Sequence, residues 1–523
     1  MGSNLSVPDV REVNREVDRI WRQGEVRGVT SNYEKVGSHF NDWRMPVSKY
    51  ARNEFYLAER LKENDYIGEY EVSTQLWQKS CGVVDEITQL FQKTLNIVTS
   101  RKYPCLIFED FVKQGNSREG LKIRYPDEFD MILPFSIDGV SVEAVPALDN
   151  GGEPIPALVK LRVSNDSHRA KVMYEDHYHT LRREEIFETR GSDVFLNARY
   201  LQTRVVLSIM DTAIAEIKKA IAEEMPHESC SFTLCKASVF PPTYRFKIIM
   251  NSDADFDELS HIRNTFRRLQ DDRVQSRDYL CAQSSSQEWN QERKIIEFDI
   301  VPGFLLQTDL VPNPDSWIPM TCDRYAVMKW IHKERYADDY PSPDLLWRES
   351  TCGYEKHIID ISCRNERYLY ILTACRVLKA YIDGSSGCSQ LSSLLSSYHL
   401  KNIAIHCILL QINVSSVKEA LGYFMIFLEI GLEKEFLPHY FYGNSNIADM
   451  FSMLSPKIGS KRLNLLKHIP GDHFVQARLS LGRMQTDLRP LYAESFELCN
   501  RTKIDSFREL CSLYDESGKC ILM

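Results

Sequence analysis

Glu128, Asp130 and Asp299 are the residues of this chain whose types and spacing best suit chemistry. Glu128-Phe129-Asp130-Met131-Ile132 alternates acid with hydrophobe. Residues i and i+2 of a strand point to one face, so a strand here would project two carboxylates into one spot. Far downstream, Phe298-Asp299-Ile300-Val301-Pro302 is a second apolar run with a lone acid that could supply a third. Like charges a few ångströms apart raise one another's pKa. Divalent metal resolves that repulsion, because it takes oxygen ligands and can grip a triphosphate at the same time. A Gly115-Asn116-Ser117 turn precedes the acidic pair, and its small polar side chains offer donors to a phosphate. The layout suits metal-assisted nucleotidyl transfer. The competing reading, a chance acidic pair on a half-exposed strand, is weakened by the order of the three pieces.

Elements able to position these residues can be read from periodicity. An amphipathic helix is expected over 84–98, leading towards the acidic strand, and a long helix over 195–224, packed on a sheet. Residues 232–250 and 295–306 alternate as strands, with a turn at Pro241-Pro242, and 150–190 reads as loops and strand ends. From Trp330 onward the pattern is helical, broken at Gly384-Ser385-Ser386-Gly387. The expected class is α+β and bilobal, a mixed β-sheet lobe followed by a helical lobe. The expected divisions are an N-terminal extension over 1–80, whose first 30 residues form a charged mobile arm, a catalytic lobe over 81–325, a helical lobe over 326–515, and a polar tail over 516–523.

Composition fits a large enzyme and excludes little else. At 523 residues, 43% hydrophobic and 26% charged, the chain can bury ample core. Its net charge of -9 gives no global field that would draw nucleic acid, so any such surface must be a local basic patch. Fourteen cysteines without a regular framework read as reduced thiols of a cytoplasmic protein. No apolar run of roughly eighteen residues predicts a membrane span. The termini offer another route to a membrane. Met1-Gly2-Ser3-Asn4-Leu5-Ser6 fits the pattern for myristoylation of Gly2, and Cys520-Ile521-Leu522-Met523 fits a CaaX box for farnesylation of Cys520. One lipid binds membrane marginally and two bind stably, so a doubly modified chain would sit on the cytosolic face of a membrane.

Residues 115 to 135 (GNSREGLKIRYPDEFDMILPF) resemble the active-site approach of cyclic GMP-AMP synthase and its animal relatives, the cGAS-like receptors and the Mab family. Further segments follow in that family's order. Residues 193–204 resemble its long central helix, Phe298 to Pro302 its third-carboxylate strand, Trp347 to Lys356 (WRESTCGYEK) its WRxSxxxxEK stretch, and Ser396 to Lys401 (SSYHLK) its SSYHxK box. The resemblance spans about residues 85 to 455, and the SSYHLK box combined with the EFD strand is specific. It implies a nucleotidyltransferase that joins ATP- and GTP-type substrates into a cyclic dinucleotide. Glu128, Asp130 and Asp299 would hold two Mg²⁺ or Mn²⁺ ions. Asn116, Ser117, Lys379 and Ser397 would lie along the triphosphate, Phe129 would be among the nucleotide contacts, Tyr398 would stack on a base with Lys401 one turn later, and Arg348, Ser350 and Glu355 would meet the second nucleotide. It also implies activation by a double-stranded nucleic acid, RNA favoured over DNA, and a product read by an innate immune sensor that the enzyme does not itself contact.

Two departures from the family pattern matter. Its usual Gly-Ser turn has Asn116 at the Ser position, with Ser117 one residue on. The zinc insert of the vertebrate synthase is shortened through Lys356 to Arg364, leaving His357 and Cys363 without a close Cys pair and Cys375 on a helix, so no structural zinc is expected. The competing classes are a catalytically silent Mab-type scaffold acting through protein partners, and a template-independent RNA nucleotidyltransferase, which would share the carboxylates without needing the SSYHLK box.

Overall fold

The structure, a computed structural model, describes residues 43–46, 72–224, 232–240, 243–250, 256–270, 295–311, 319–328, 342–384, 389–451, 461–467, 469–496 and 499–512. The lipidation candidates Gly2 and Cys520, the expected N-terminal arm and the Pro241-Pro242 turn lie outside those residues.

Two hydrophobic cores give the chain its two lobes. The first lies under a twelve-stranded mixed sheet. The acidic strand Glu128–Ile137 is second from one end of the strand order, beside the strand Ile295–Val311, and the two run parallel. Every other strand pair among the described residues is antiparallel. A parallel pair needs a long crossover, which is why its two halves are so far apart in sequence. On the far side of Ile295–Val311 lies the strand Thr243–Met250.

Alternation fixes the faces of these three strands. Phe129 and Phe298 are register partners, as are Phe298 and Phe246, and all three are fully buried. The 29-residue helix Thr74–Lys102 packs beneath them, with Trp77 against Phe129 at 6.0 Å and Phe91 against Phe246 at 5.2 Å between ring centroids. This aromatic floor makes the polar residues between the phenylalanines face away from the core. The second lobe is helical. Its main members are Cys352–Ser362, Glu366–Gly384, Ser397–Leu409, Val417–Glu433 and Gly471–Phe496, and Phe427 stacks on Phe507 in its interior at 3.9 Å.

The differences from the sequence expectation are local. The expected helix over 195–224 begins later, because the Asn197 side chain accepts from the Tyr200 N–H and caps it, leaving Phe195 and Leu196 in the strand Asp193–Leu196. The 150–190 stretch, expected as loops and strand ends, contains the ten-residue strand Pro154–Val163 and the helix Asp166–Tyr174. Two prolines at the strand's start conceal the alternation of Ala157, Val159, Leu161 and Val163, which are all buried. Past the expected lobe boundary at 325 the sheet gains Trp347–Ser350, paired on both sides. Four residues are too few to show a period.

Candidate active site

The two parallel strands carry the same tripeptide in register: Glu128-Phe129-Asp130 lies beside Glu297-Phe298-Asp299, residue against residue. With the phenylalanines committed to the core, four carboxylates share the opposite face. Glu128, Asp130 and Asp299 can each offer an oxygen such that the three oxygens lie within 4.8 Å of one another.

The three acids differ in their electrostatic surroundings. Lys122 bonds Glu128 at 3.1 Å and Asp127 at 3.0 Å. Its ammonium holds Glu128 below the usual carboxylate range against the opposing effect of burial. Burial opposes the charge of Lys122 in turn, but Glu128 and Asp127 outweigh it and raise its pKa. Asp299 receives both arms of the Arg245 guanidinium, Nε at 2.7 Å and Nη2 at 2.6 Å. Asp130 has neither advantage: burial first, then Glu128 and Asp299, push its carboxyl up to about 7.

That set fits a divalent metal. All donors are hard carboxylate oxygens, the chemistry Mg²⁺ and Mn²⁺ prefer, and Asp130 carries an uncompensated charge that a cation would relieve. Since a metal must displace the Asp130 proton, affinity should climb with pH. For a carboxyl near 7, Mn²⁺ affinity is expected to rise about tenfold from pH 6 to pH 8, measurable by titrating free Mn²⁺ in electron paramagnetic resonance. A flat profile would contradict the assignment.

Gly115 allows the short helix Gly115–Glu119 to approach this face. Its φ is +74° and a Cβ there would collide with the Asp130 carboxylate. Gly115→Ala therefore meets both a backbone penalty and a clash, and it should displace Asp130. The expected outcome is a lower melting temperature together with loss of Mn²⁺ binding, read by scanning fluorimetry and the same resonance titration. Next in the turn, Asn116 is half-buried, whereas the Ser117 side chain is buried and donates to the Glu128 carbonyl oxygen. Ser117 thus ties the helix to the acidic strand. Phe129, grouped with the nucleotide contacts by resemblance, points to the opposite face and packs edge-on against Trp43 at 4.9 Å. Its ring cannot reach a ligand at the carboxylates.

The helical lobe presents a second group. The SSYHLK box starts the helix Ser397–Leu409, and two of its letters are explained by capping: the Ser396 hydroxyl and backbone N–H both meet His399 Nδ1 at 2.9 Å. Ser397 and Tyr398 are left half-buried on the first turn. The Tyr398 hydroxyl donates to Glu355 at 3.0 Å and meets His439 Nε2 at 2.8 Å. Lys401 lies 5.1 Å from the centre of the Tyr398 ring and bonds Glu355 at 2.6 Å and Glu119 at 3.0 Å, in a buried bridge from one lobe to the other. Burial works against the Lys401 charge, but the two carboxylates outweigh it and raise its pKa.

Lys379 is buried near Lys122 and Glu128, and burial lowers its pKa, with the like charge of Lys122 adding to the effect. It makes no hydrogen bond or ion pair among the described residues. Arg348 is half-buried near Tyr398 and His439, and Ser350 bonds the Cys352 thiol. His357 and Cys363 lie on or just past one helix and share no ligand cluster among the described residues.

Sequence reasoning missed Glu119, Lys122, Arg245, Glu297 and His439. A signal existed for two of them. Glu297 repeats the EFD tripeptide, and Arg245 alternates with Lys247 on a strand, which puts two cations on one face.

No protein-family model matches the chain, and no curated protein matches it. Among solved structures it is similar to a CdnE cyclic dinucleotide synthase of Elizabethkingia meningoseptica, determined with GTP and Apcpp, at a TM-score of 0.32 and 10% identity over 82% of this chain and 98% of that one. A likeness at that level assigns no function to this chain. No helix among the described residues is long and apolar enough to cross a membrane.

Proposed function

We propose that this chain is a nucleotidyltransferase that makes a cyclic dinucleotide from nucleoside triphosphates of the ATP and GTP type. The observation that carries the reading is the in-register parallel pairing that gathers Glu128, Asp130 and Asp299 within 4.8 Å. The sequence resemblance of residues 115–135, 347–356 and 396–401 to the cGAS-like receptors supports it.

In the proposed reaction a ribose hydroxyl attacks the α-phosphorus of a triphosphate, the bond from that phosphorus to the bridging oxygen of the β-phosphate breaks, and pyrophosphate leaves. A second transfer closes the ring. Mg²⁺ or Mn²⁺ held by the three carboxylates would lower the pKa of the attacking hydroxyl and offset the charge on the phosphates. Asp299 is the residue to accept the hydroxyl proton. Lys379, a buried cation with no partner of its own among the described residues, faces the charge of Glu128 and is suited to phosphate. Tyr398 offers a half-buried ring to a base, and Arg348 a cation beside it.

The scaffold reading has one observation in its favour. Lys401, Glu355 and Tyr398 already satisfy one another, as residues retained for structure would. Incubating the full chain with all four triphosphates, Mg²⁺ or Mn²⁺, and double-stranded RNA or DNA in separate arms decides by mass spectrometry of the products. A cyclic dinucleotide supports the proposal, an extended RNA favours template-independent RNA synthesis, and no product in any arm favours the scaffold. The nucleic-acid activator belongs to the same proposal, and product dependence on one arm tests it.

A further inference from the structure

We propose that Arg245 is a gate on the carboxylate site: its guanidinium occupies Asp299 when metal is absent and must leave before the site can load. The inference rests on reading Glu128, Asp130 and Asp299 as metal ligands.

The geometry is that of a cross-strand ladder. Asp299 lies opposite Arg245, and Glu297 opposite Lys247, on the antiparallel pair Ile295–Val311 and Thr243–Met250. Nε and Nη2 of Arg245 engage Oδ1 and Oδ2 of Asp299 separately, so the planar fork takes both oxygens that a metal would need. The other two acids are less encumbered. Lys122 reaches Glu128 at one oxygen, and Asp130 has no ion pair among the described residues. The site's metal affinity is therefore set most strongly at Asp299.

Arg245 can also let go without being stranded. Its side chain is 37% exposed, and its Nη1 already lies 3.3 Å from Glu297. Glu297, the fourth acid of the paired tripeptides, offers the guanidinium a second acceptor on the same face. Lys247 makes its own ion pair with Glu297 and has none with Asp299, so it shares the position and charge of Arg245 without sharing the contact. That makes Lys247 the control.

The test is direct Mn²⁺ binding to the purified full-length chain without nucleotide, followed by electron paramagnetic resonance, with folding checked by circular dichroism. Arg245→Gln should tighten Mn²⁺ binding at least tenfold, Arg245→Lys should fall between it and the wild type, and Lys247→Gln should change binding less than threefold. If Arg245→Gln fails to fold, the Lys variant carries the comparison. Equal tightening by Arg245→Gln and Lys247→Gln would show a general charge effect and overturn the gate. Unchanged affinity in the Arg245 variants, with wild-type binding that Asp130→Asn abolishes, would also overturn it while leaving the metal site intact. Binding insensitive to Asp130→Asn in every variant would remove the metal reading, and the gate with it.

Discussion

Asp130→Asn is expected to abolish the proposed nucleotide transfer and to make the protein more stable. The two effects have one origin. Asp130 lies among Glu128 and Asp299 with no cation of its own, and its carboxyl is pushed up to about 7, burial being the largest cause. A carboxyl whose folded pKa lies above its unfolded value costs stability on ionising. The cost is absent below the unfolded value of about 4 and complete above the folded one. At pH 8 the wild type bears it in full, and the Asn variant does not. Removing the same charge takes away a proposed metal ligand, and a bound metal would supply several kcal/mol of transition-state stabilisation, so turnover should fall by about a thousandfold or more. Product yield by mass spectrometry and melting temperature at pH 8 read the two effects. A variant that loses stability while keeping turnover would contradict both arguments, and full biological activity of the carboxylate variants in cells would favour the scaffold.

Lys401→Met is expected to be the most damaging single change between the lobes. Lys401 neutralises Glu119 and Glu355, and all three are buried. Breaking a buried ion pair from one side typically costs about 3–5 kcal/mol, because a charge is left unpaired; here two carboxylates would be left facing each other. Burial and Glu355 already hold the Glu119 carboxyl up to about 7, with Lys401 pulling it down. Without that pull it rises further. The damage should therefore be greatest at pH 8 and shrink as the solution is acidified towards pH 5.5, where Glu119 can take a proton. Adding Glu119→Gln should restore part of the loss. Denaturant midpoints across that pH range check the prediction, and a pH-independent loss under about 1 kcal/mol would show the bridge to be worth no more than a surface pair.

The two carboxylate strands were legible because alternation fixes side-chain direction and because acids are conspicuous between hydrophobes. The parallel pairing that aligns Asp130 with Asp299 was not, since register between segments so far apart is decided by the sheet as a whole. The partners were hidden for a related reason. Arg245 reaches Asp299 across a strand pair, Lys401 reaches Glu119 from another lobe, and neither spacing leaves a trace in the local sequence. Part of SSYHLK was legible by resemblance and has a physical basis: Ser396 and His399 cap the helix, Lys401 reaches Glu119 of the other lobe, and Tyr398 bonds Glu355 and His439 within its own. Trp347–Ser350 escaped notice as a strand because its stability comes from two flanking strands and the fully buried Trp347.

In the proposed reaction Glu128, Asp130 and Asp299 hold two metal ions for nucleotidyl transfer. Anomalous diffraction from crystals soaked in Mn²⁺ and a non-hydrolysable triphosphate would locate those ions. Two manganese peaks within ligand distance of those carboxylates, with the triphosphate directed towards Lys379, is the predicted result. Manganese absent from the three carboxylates, with Arg245 still bonded to Asp299, would contradict it.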